Sequence, residues 1–171
     1  MKLELKNVKF YESMSEETNC FQADLFINGK KIAYVKNSGH GGCTDYHVLD
    51  FSQQQILRDA EAYCKGLPKV KYGENEYAVS LETVIDDLFE NWLKIKQDSK
   101  LAKRISNDML NSIICGSPQN YTEYFWQTKD KKKVPIAQML KTENGRNLII
   151  AKLKSLKGQN ILNTNLPADL I

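Results

Sequence analysis

The first part of the chain alternates apolar and polar residues with a period of two, the pattern of strands that bury one face. The alternation is clearest over residues 21–27, where the odd positions are apolar. Asn28 and Gly29 follow, and both residue types tolerate the positive φ that a two-residue hairpin turn requires. Residues 30–36 then return as the partner strand. With a two-residue turn, Leu25 is expected opposite Ile32 on the buried face.

A third strand is predicted before this hairpin, over residues 3–11. Its apolar residues change parity between Leu5 and Val8, which predicts a bulge near Lys6. Residues 12–19 connect it to the hairpin, and this connection is long and polar, as functional loops often are. In an antiparallel meander of three strands, this loop and the exit from the hairpin lie at the same end of the sheet.

Apolar residues at helical spacing follow from residue 53 onwards. Residues 53–65 and 81–93 repeat apolar positions every three or four residues, and Ser80 is placed to cap the second helix. A separate helical piece is predicted over residues 100–111. Two short strands, a turn and further helices follow. The sequence therefore predicts an α+β fold with an N-terminal antiparallel three-stranded meander, then helices, and a small C-terminal section of strands and helices.

The length of 171 residues predicts a single domain over residues 1–171, within which a subdomain would begin near residue 112. No apolar run reaches the roughly 18 residues of a membrane span, and residues 1–10 do not have the apolar stretch of a secretory signal. The four cysteines form no C-x-x-C pair. We therefore expect a cytoplasmic protein that has free thiols and no membrane contact.

Charge is distributed unevenly along the chain. Residues 1–90 contain 10 Lys and Arg against 15 Asp and Glu, whereas residues 91–171 contain 14 against 6. This asymmetry indicates either a basic face for nucleic acid or an acidic partner, or two halves that form ion pairs with each other and with solvent.

Aromatic residues lie next to lysines in the basic half, and such a mixture can stack on bases and hold phosphates. The same residues also fit a strand with aromatic core residues that is followed by a turn with exposed lysines. The candidates for nucleic-acid contact are Tyr124, Trp126, Lys129, Lys131, Lys132 and Lys133.

Residues 37–47, which read NSGHGGCTDYH, contain both histidines of the chain. His40, Cys43, Asp45 and His47 are zinc-binding residue types, but their spacing matches no common zinc signature, so no metal ligand is assigned. The glycines could present backbone N–H groups to a phosphate, or could serve an irregular turn. Cys43 beside two histidines could be a nucleophile, or a small thiol that packs as an apolar group. The sequence identifies no cofactor.

A site would form if this segment met the loop over residues 12–19. The ligand-binding candidates on the two segments are Glu17, Thr18, Asn37, His40, Gly41, Gly42, Cys43, Asp45 and His47.

The N-terminal third carries the pattern Ser15-x-Glu17-Thr18-x-Cys20-Phe21-x-Ala23 and, further on, Gly39-His40-Gly41-Gly42-Cys43. This set resembles uncharacterised small proteins of phage and mobile-element genomes, over about the first 50 residues and loosely around residues 161–163. No activity is assigned to that group, so the resemblance transfers no functional residues. It implies a setting only, that of an accessory protein that acts on host defence.

Two classes of function remain open at this point. The first is an accessory protein that acts by binding a host protein, a nucleic acid or a nucleotide, for instance to inhibit a host defence system. The second is a small phosphoester or nucleotide hydrolase that uses His40, Cys43, Asp45 and His47, with or without a metal. The absence of a strong catalytic motif favours binding. The sequence leaves open whether the protein is an enzyme, and its oligomeric state.

Overall fold

The fold is α+β and consists of two compact units. A computed structural model describes residues 1–170 of the chain, with Tyr72 described by its backbone alone. The units divide after Lys94 and are called the N-terminal unit and the C-terminal unit below. The organisation of the chain as a single domain stays a prediction.

The secondary-structure elements run in the following order along the chain. The N-terminal unit contains β1 (Leu3–Phe10), β2 (Phe21–Ile27), β3 (Lys30–Asn37), β4 (Asp45–Val48), α1 (Gln54–Lys65), β5 (Val70–Tyr72) and β6 (Asn75–Tyr77). Helix α2 (Leu81–Met109) begins in this unit and ends in the C-terminal one. The C-terminal unit continues with β7 (Ser112–Ser117), β8 (Asn120–Phe125), α3 (Ile136–Met139) and α4 (Glu143–Ser155). Single 3-10 turns cover Glu12–Met14, Phe51–Gln53 and Ala168–Leu170.

The main sheet is an antiparallel meander of four strands in the order β1-β2-β3-β4. The predicted meander is therefore correct in its order and wrong in its strand number, because β4 adds a fourth strand beside β3. Only Tyr46 and Val48 of β4 pack against the core, and four residues are too few for their alternation to be distinctive. Pairing with β4 satisfies backbone groups of β3 that would otherwise lie on a free edge.

The β2–β3 hairpin has the predicted turn and a different register. Asn28 and Gly29 have φ values of 50° and 84°, which confirms the turn. Leu25 pairs with Ala33 rather than Ile32, because a bulge between Leu25 and Phe26 adds one residue to the β3 side. The shift allows both Ile32 and Ala33 to be buried.

The predicted bulge in β1 is confirmed, since the register shifts between Lys6 and Lys9. Asn7 lies in the shifted segment and has a φ of 53°. Its side-chain amide donates a 2.7 Å hydrogen bond to Asp24 on β2, so the bulge aims a polar group at a carboxylate that is mostly buried.

One face of the four-stranded sheet is covered by α1 and the first turns of α2. The rings of Phe21 on β2 and Phe89 on α2 stack with their centroids 3.9 Å apart, and both side chains are buried. The predicted cap is confirmed, because Ser80 Oγ accepts a 3.0 Å hydrogen bond from the backbone N–H of Thr83.

Helix α2 is continuous over 29 residues, so residues 100–109 are helical as predicted but do not form a separate piece. The polar stretch over residues 96–100 contains no glycine or proline, and its residue types are tolerated within a helix. The loss of the amphipathic pattern along α2 therefore does not mark the end of the helix.

The C-terminal unit has its own apolar core. The β7–β8 hairpin packs against α3 and α4, with Ile113, Ile136 and Ile149 fully buried between them. Thr142 caps α4 by accepting a hydrogen bond from the backbone N–H of Gly145. Among residues 1–170, none of the helices combines the length and the apolar character that a membrane crossing requires.

Candidate functional site

The loop over residues 12–19 and the glycine-rich segment meet at one end of the four-stranded sheet. The backbone N–H groups of Glu16, Glu17 and Thr18 all point at the carbonyl oxygen of Gly39, at 2.9, 3.1 and 3.3 Å. The predicted meeting of the two loops is therefore confirmed. Three convergent donors on one acceptor hold the loops in a defined relation to each other.

Asn37, the last residue of β3, links both loops through its side-chain amide. Its oxygen accepts hydrogen bonds from the Thr18 hydroxyl and the Gly39 N–H, each at 2.9 Å. Its nitrogen donates to the Gly42 carbonyl at 3.2 Å and to the Thr44 hydroxyl at 3.0 Å. The amide thus makes four hydrogen bonds, the full set that its two donors and two lone pairs allow, while only 8% of the residue is exposed.

Gly39 and Gly41 are required by their backbone conformation and by close contacts. Their φ values are 87° and 81°, in the region that residues with a Cβ rarely adopt. A Cβ on Gly39 would overlap the carbonyl oxygen of Met14, and one on Gly41 would overlap the carboxylate of Glu17. The close approach of the two loops therefore depends on Gly39, which meets backbone, whereas Gly41 is needed for its positive φ, because the flexible end of the Glu17 side chain can move away.

The same segment is poorly suited to cradle an anion. The Gly39 N–H already donates to Asn37, and the Gly41 N–H donates to the Thr18 hydroxyl at 3.3 Å. The carboxylate of Glu17 lies directly against Gly41. A phosphate in this position would meet few free N–H groups and a negative charge.

Three acidic residues of α2, Glu82, Asp86 and Glu90, face the two loops at a spacing of four. Thr44 donates its backbone N–H to Glu82 at 3.0 Å and its hydroxyl to Asp86 at 2.6 Å. Asn19 donates its amide to Glu90 at 2.6 Å. The loops are therefore held to the helix by neutral donors, which leave the negative charges uncompensated.

A cavity of about 320 Å³ opens between the two loops and α2. Three carboxylates border it, and Phe21 and Phe89 supply apolar surface. None of the described residues that line it is Lys, Arg or His. The lining, called the acidic cavity below, consists of Glu17, Thr18, Asn19, Phe21, Asn37, Gly42, Asp86, Phe89 and Glu90.

Partial burial raises the pKa of Asp86 above its ordinary value of 3.8, and the negative charges of Glu82, Asp87 and Glu90 raise it further. The hydrogen bond from Thr44 opposes this shift without cancelling it. Because the folded state holds the proton of Asp86 more tightly than the unfolded chain does, ionised Asp86 costs folding free energy.

The Asp86→Asn variant is therefore expected to be more stable than the wild type at pH 7, since the amide oxygen still accepts the Thr44 bond. The sign follows from linkage: wild-type stability falls as the pH rises from about 3.8 through the raised folded pKa. The stabilisation by the variant should grow over that interval and stay constant above it. Urea unfolding between pH 3.5 and 8 measures it.

Asp98→Asn is the control, because Asp98 lies further along α2, its side chain is exposed, and its charge is not among those that raise the pKa of Asp86. We expect a change within about 0.5 kcal/mol. An Asp86→Asn variant that is no more stable than the wild type at pH 7 would contradict the stated cost of the buried charge.

The four residues of the hydrolase hypothesis are divided between different surroundings. His40 Nδ1 lies 3.0 Å from Glu16 Oε2, and both side chains are largely exposed, so this pair contributes little stability. Cys43 is exposed, and its contact with Glu82 raises the pKa of its thiol, which opposes the thiolate that a nucleophile needs. Asp45 and His47 alternate with the core-facing residues of β4 and so point to its other side.

No cluster of three or more His, Cys, Asp or Glu side chains with the geometry to hold a metal ion occurs among the described residues.

The nucleic-acid candidates lie in the C-terminal unit and are partly engaged there. Tyr124 and Trp126 pack against the core, and the Lys152 ammonium lies 4.4 Å from the centre of the Tyr124 ring. Lys133 is bound to Glu123 at 2.7 Å. The remaining candidates, Lys129, Lys131 and Lys132, are exposed on the turn after β8. A contact with nucleic acid stays a prediction.

Sequence reasoning missed the helical side of the acidic cavity. None of the acidic residues of α2 was among the candidates, and neither was Thr44 or Asn19. A signal was present, since Glu82, Asp86 and Glu90 follow each other at intervals of four on one helix. This spacing places like charges side by side on one face of the helix, where they repel each other, and it is the one sequence feature that sets this face apart.

Comparisons of this chain with protein-family models, with curated proteins and with solved structures find no match.

Proposed function

We propose that this protein acts by binding, and that the acidic cavity receives the positively charged side chain of an Arg or Lys from a partner protein. The observation that carries the proposal is a cavity bordered by the carboxylates of Glu17, Asp86 and Glu90 with no cation in its described lining. A guanidinium or ammonium group supplies both the charge and the hydrogen-bond donors that this lining can accept.

The carboxylates retain unused acceptor capacity. Each carboxylate offers about four lone-pair positions, whereas Asp86 and Glu90 each accept one hydrogen bond from the loops. Donors from a guanidinium fork can bind the remaining positions. The Phe89 ring, at the apolar side of the cavity, suits the aliphatic stem of the same side chain.

Electrostatics favour a cation over an anion at this place. The acidic residues of α2 repel each other in the free protein, and a bound cation relieves that repulsion. A nucleotide phosphate would add a further negative charge. Of the predicted partner classes, a host protein therefore fits the acidic cavity better than a nucleic acid or a nucleotide does.

The hydrolase alternative has less support from the site geometry. It requires an acid–base pair or a nucleophile close to one reacting centre. The His40–Glu16 pair is open to solvent, and the raised pKa of Cys43 keeps its thiol protonated. The proposed biological setting is that of an accessory protein that inhibits a host defence system. It rests on the sequence resemblance and is compatible with binding to a host protein.

Isothermal titration calorimetry with N-acetyl-arginine amide and N-acetyl-lysine amide tests the proposal. A ligand of this size is expected to bind with a Kd of about 1 mM or weaker, and more weakly at high salt. In the double variant Asp86→Asn/Glu90→Gln, the affinity should fall by about tenfold, because two charge-assisted contacts are lost.

The control variant Glu74→Gln/Glu76→Gln removes two carboxylates of the same unit that do not line the cavity. It should leave the affinity unchanged, and neutral N-acetyl-glutamine amide should not bind. Equal weakening by the control variant, or preferential binding of ADP over the arginine probe, would reject a cation site in the acidic cavity.

A further inference from the structure

An apolar cavity lies in the C-terminal unit, between α4 and the segment that follows it. It measures about 480 Å³, within the range of small-molecule sites. Its apolar surface comes from Ile150, Leu153, Leu156, Ile161 and Leu170. It is separate from the acidic cavity, and nothing in the proposed function uses it.

The charged residues at this cavity leave a net positive rim. Lys154 and Lys157 line it, are exposed, and form no ion pair with any residue among those that the structure describes. The third charged residue, Asp169, is bound to Arg146 at 2.5 Å, so its charge is already compensated.

The side chain of Gln159, which also lines the cavity, is engaged as well. The Gln159 side-chain oxygen accepts a hydrogen bond from the Cys115 thiol at 2.9 Å. An apolar cavity with two free ammonium groups at its rim and few unused acceptors is complementary to a molecule with an aliphatic body and one anionic end.

We propose that this cavity binds a free aliphatic carboxylate of the fatty-acid class. The hydrocarbon chain would lie on Leu153, Leu156 and Ile161, and the carboxylate would pair with Lys154 and Lys157. Burial of the chain supplies most of the affinity, since apolar surface leaves water. The lysines fix the orientation and select an acid over an alcohol.

A free ligand fits this shape better than a membrane surface does. Membrane docking uses an exposed apolar face that can enter the headgroup layer, whereas these apolar residues line a concave site. We therefore assign the carboxylate to a soluble molecule, and we make binding to lipid vesicles an outcome of the test.

Calorimetric titration of the full chain with hexanoate, octanoate and decanoate, each below its micelle concentration, tests the site. The affinity should rise about fourfold for each added CH₂ until the cavity is filled. Decanol should bind more weakly than decanoate. In Lys154→Gln/Lys157→Gln, the affinity for decanoate should fall about threefold to tenfold, towards that of decanol.

The matched control is Lys129→Gln/Lys132→Gln, which removes two exposed lysines outside the cavity. It should bind decanoate as the wild type does. A filling variant, Ile150→Trp, should lose at least about tenfold in affinity; Ile150 is only half-buried, so the fold should persist, as thermal unfolding would verify.

Three results would overturn the proposal. The first is no binding of decanoate in the wild type. The second is that the lysine variant of the cavity and the control lysine variant bind decanoate with the same affinity. The third is binding to vesicles of anionic phospholipid that decanoate does not displace, which would indicate a membrane surface instead.

Discussion

Replacing Asn37 with alanine is expected to lower the free energy of unfolding of the N-terminal unit by about 2–4 kcal/mol. The variant removes an amide that makes four hydrogen bonds, and it leaves the buried backbone N–H of Gly39 without its acceptor, while the Thr44 hydroxyl keeps only its bond to Asp86. An unpaired polar group that is shielded from water costs more than the bond itself contributes. The loss should also loosen the connection between the two loops that border the acidic cavity.

The Asn37→Asp variant separates hydrogen bonding from side-chain volume. Its shape is retained, but an ionised carboxylate cannot donate to the Gly42 carbonyl or the Thr44 hydroxyl. It also adds a negative charge near Asp86, which already accepts the Thr44 hydroxyl bond. We therefore expect destabilisation that is larger at pH 7 than at acidic pH, where the introduced carboxyl group is protonated and donates one bond again.

Urea unfolding and amide hydrogen exchange measure both Asn37 variants. The N–H groups of Glu16, Glu17 and Thr18, which point at Gly39, should exchange faster in the variants than in the wild type. The control is Asn91→Ala on the exposed side of α2, for which a change within about 0.5 kcal/mol is expected. Wild-type protection of the three amides in Asn37→Ala would show that the amide does not hold the loops.

Replacing Phe89 with alanine is expected to lower the free energy of unfolding of the same unit by about 3–5 kcal/mol. The ring is buried and stacks on Phe21 at 3.9 Å, with Phe10 and Trp92 at centroid distances of 5.7 and 5.9 Å. Its removal leaves a void beneath the acidic cavity that the sheet cannot fill without moving. Phe89→Leu retains most of the volume and should cost roughly 1–2 kcal/mol.

Tryptophan fluorescence during urea unfolding measures this loss in the free energy of unfolding. A Trp126→Phe background leaves Trp92 as the reporter of the N-terminal unit, because the chain has two tryptophans. Phe51→Ala is the control, since Phe51 is 85% exposed and its truncation should change stability by no more than about 0.5 kcal/mol. Comparable losses for Phe89→Ala and Phe51→Ala would mean that the aromatic stack does not stabilise the unit.

The elements that local patterns predict correctly are those in which several signals agree. The β2–β3 hairpin combines alternation with an Asn-Gly turn, and both were found. The parity change in β1 correctly located the bulge near Lys6, since the register shifts between Lys6 and Lys9. The strand pairing differed by one residue, because residues 32–35 are all apolar or aromatic and do not show by alternation which of them is the extra residue of the bulge.

The two loops of the candidate site could be predicted from the sequence, and its helical side could not. The polar connection over residues 12–19 and the glycine-rich segment were singled out from their composition, and strand order placed them at one end of the sheet. The helical side of the acidic cavity was missed because Glu82, Asp86 and Glu90 look like an ordinary solvent face when the helix is considered alone. Only the packing of α2 on the sheet turns those carboxylates towards Thr44 and Asn19.

The sequence by itself determined the α+β class, the meander order, the turn at Asn28-Gly29 and the two loops of interest. These features follow from dihedral preferences and hydrophobic periods, which act over a few residues. The tertiary structure alone decided the fourth strand and the acidic character of the cavity. Each of these depends on which distant segments bury one another, as when Phe89 stacks on Phe21 and brings the acidic face of α2 to the loops.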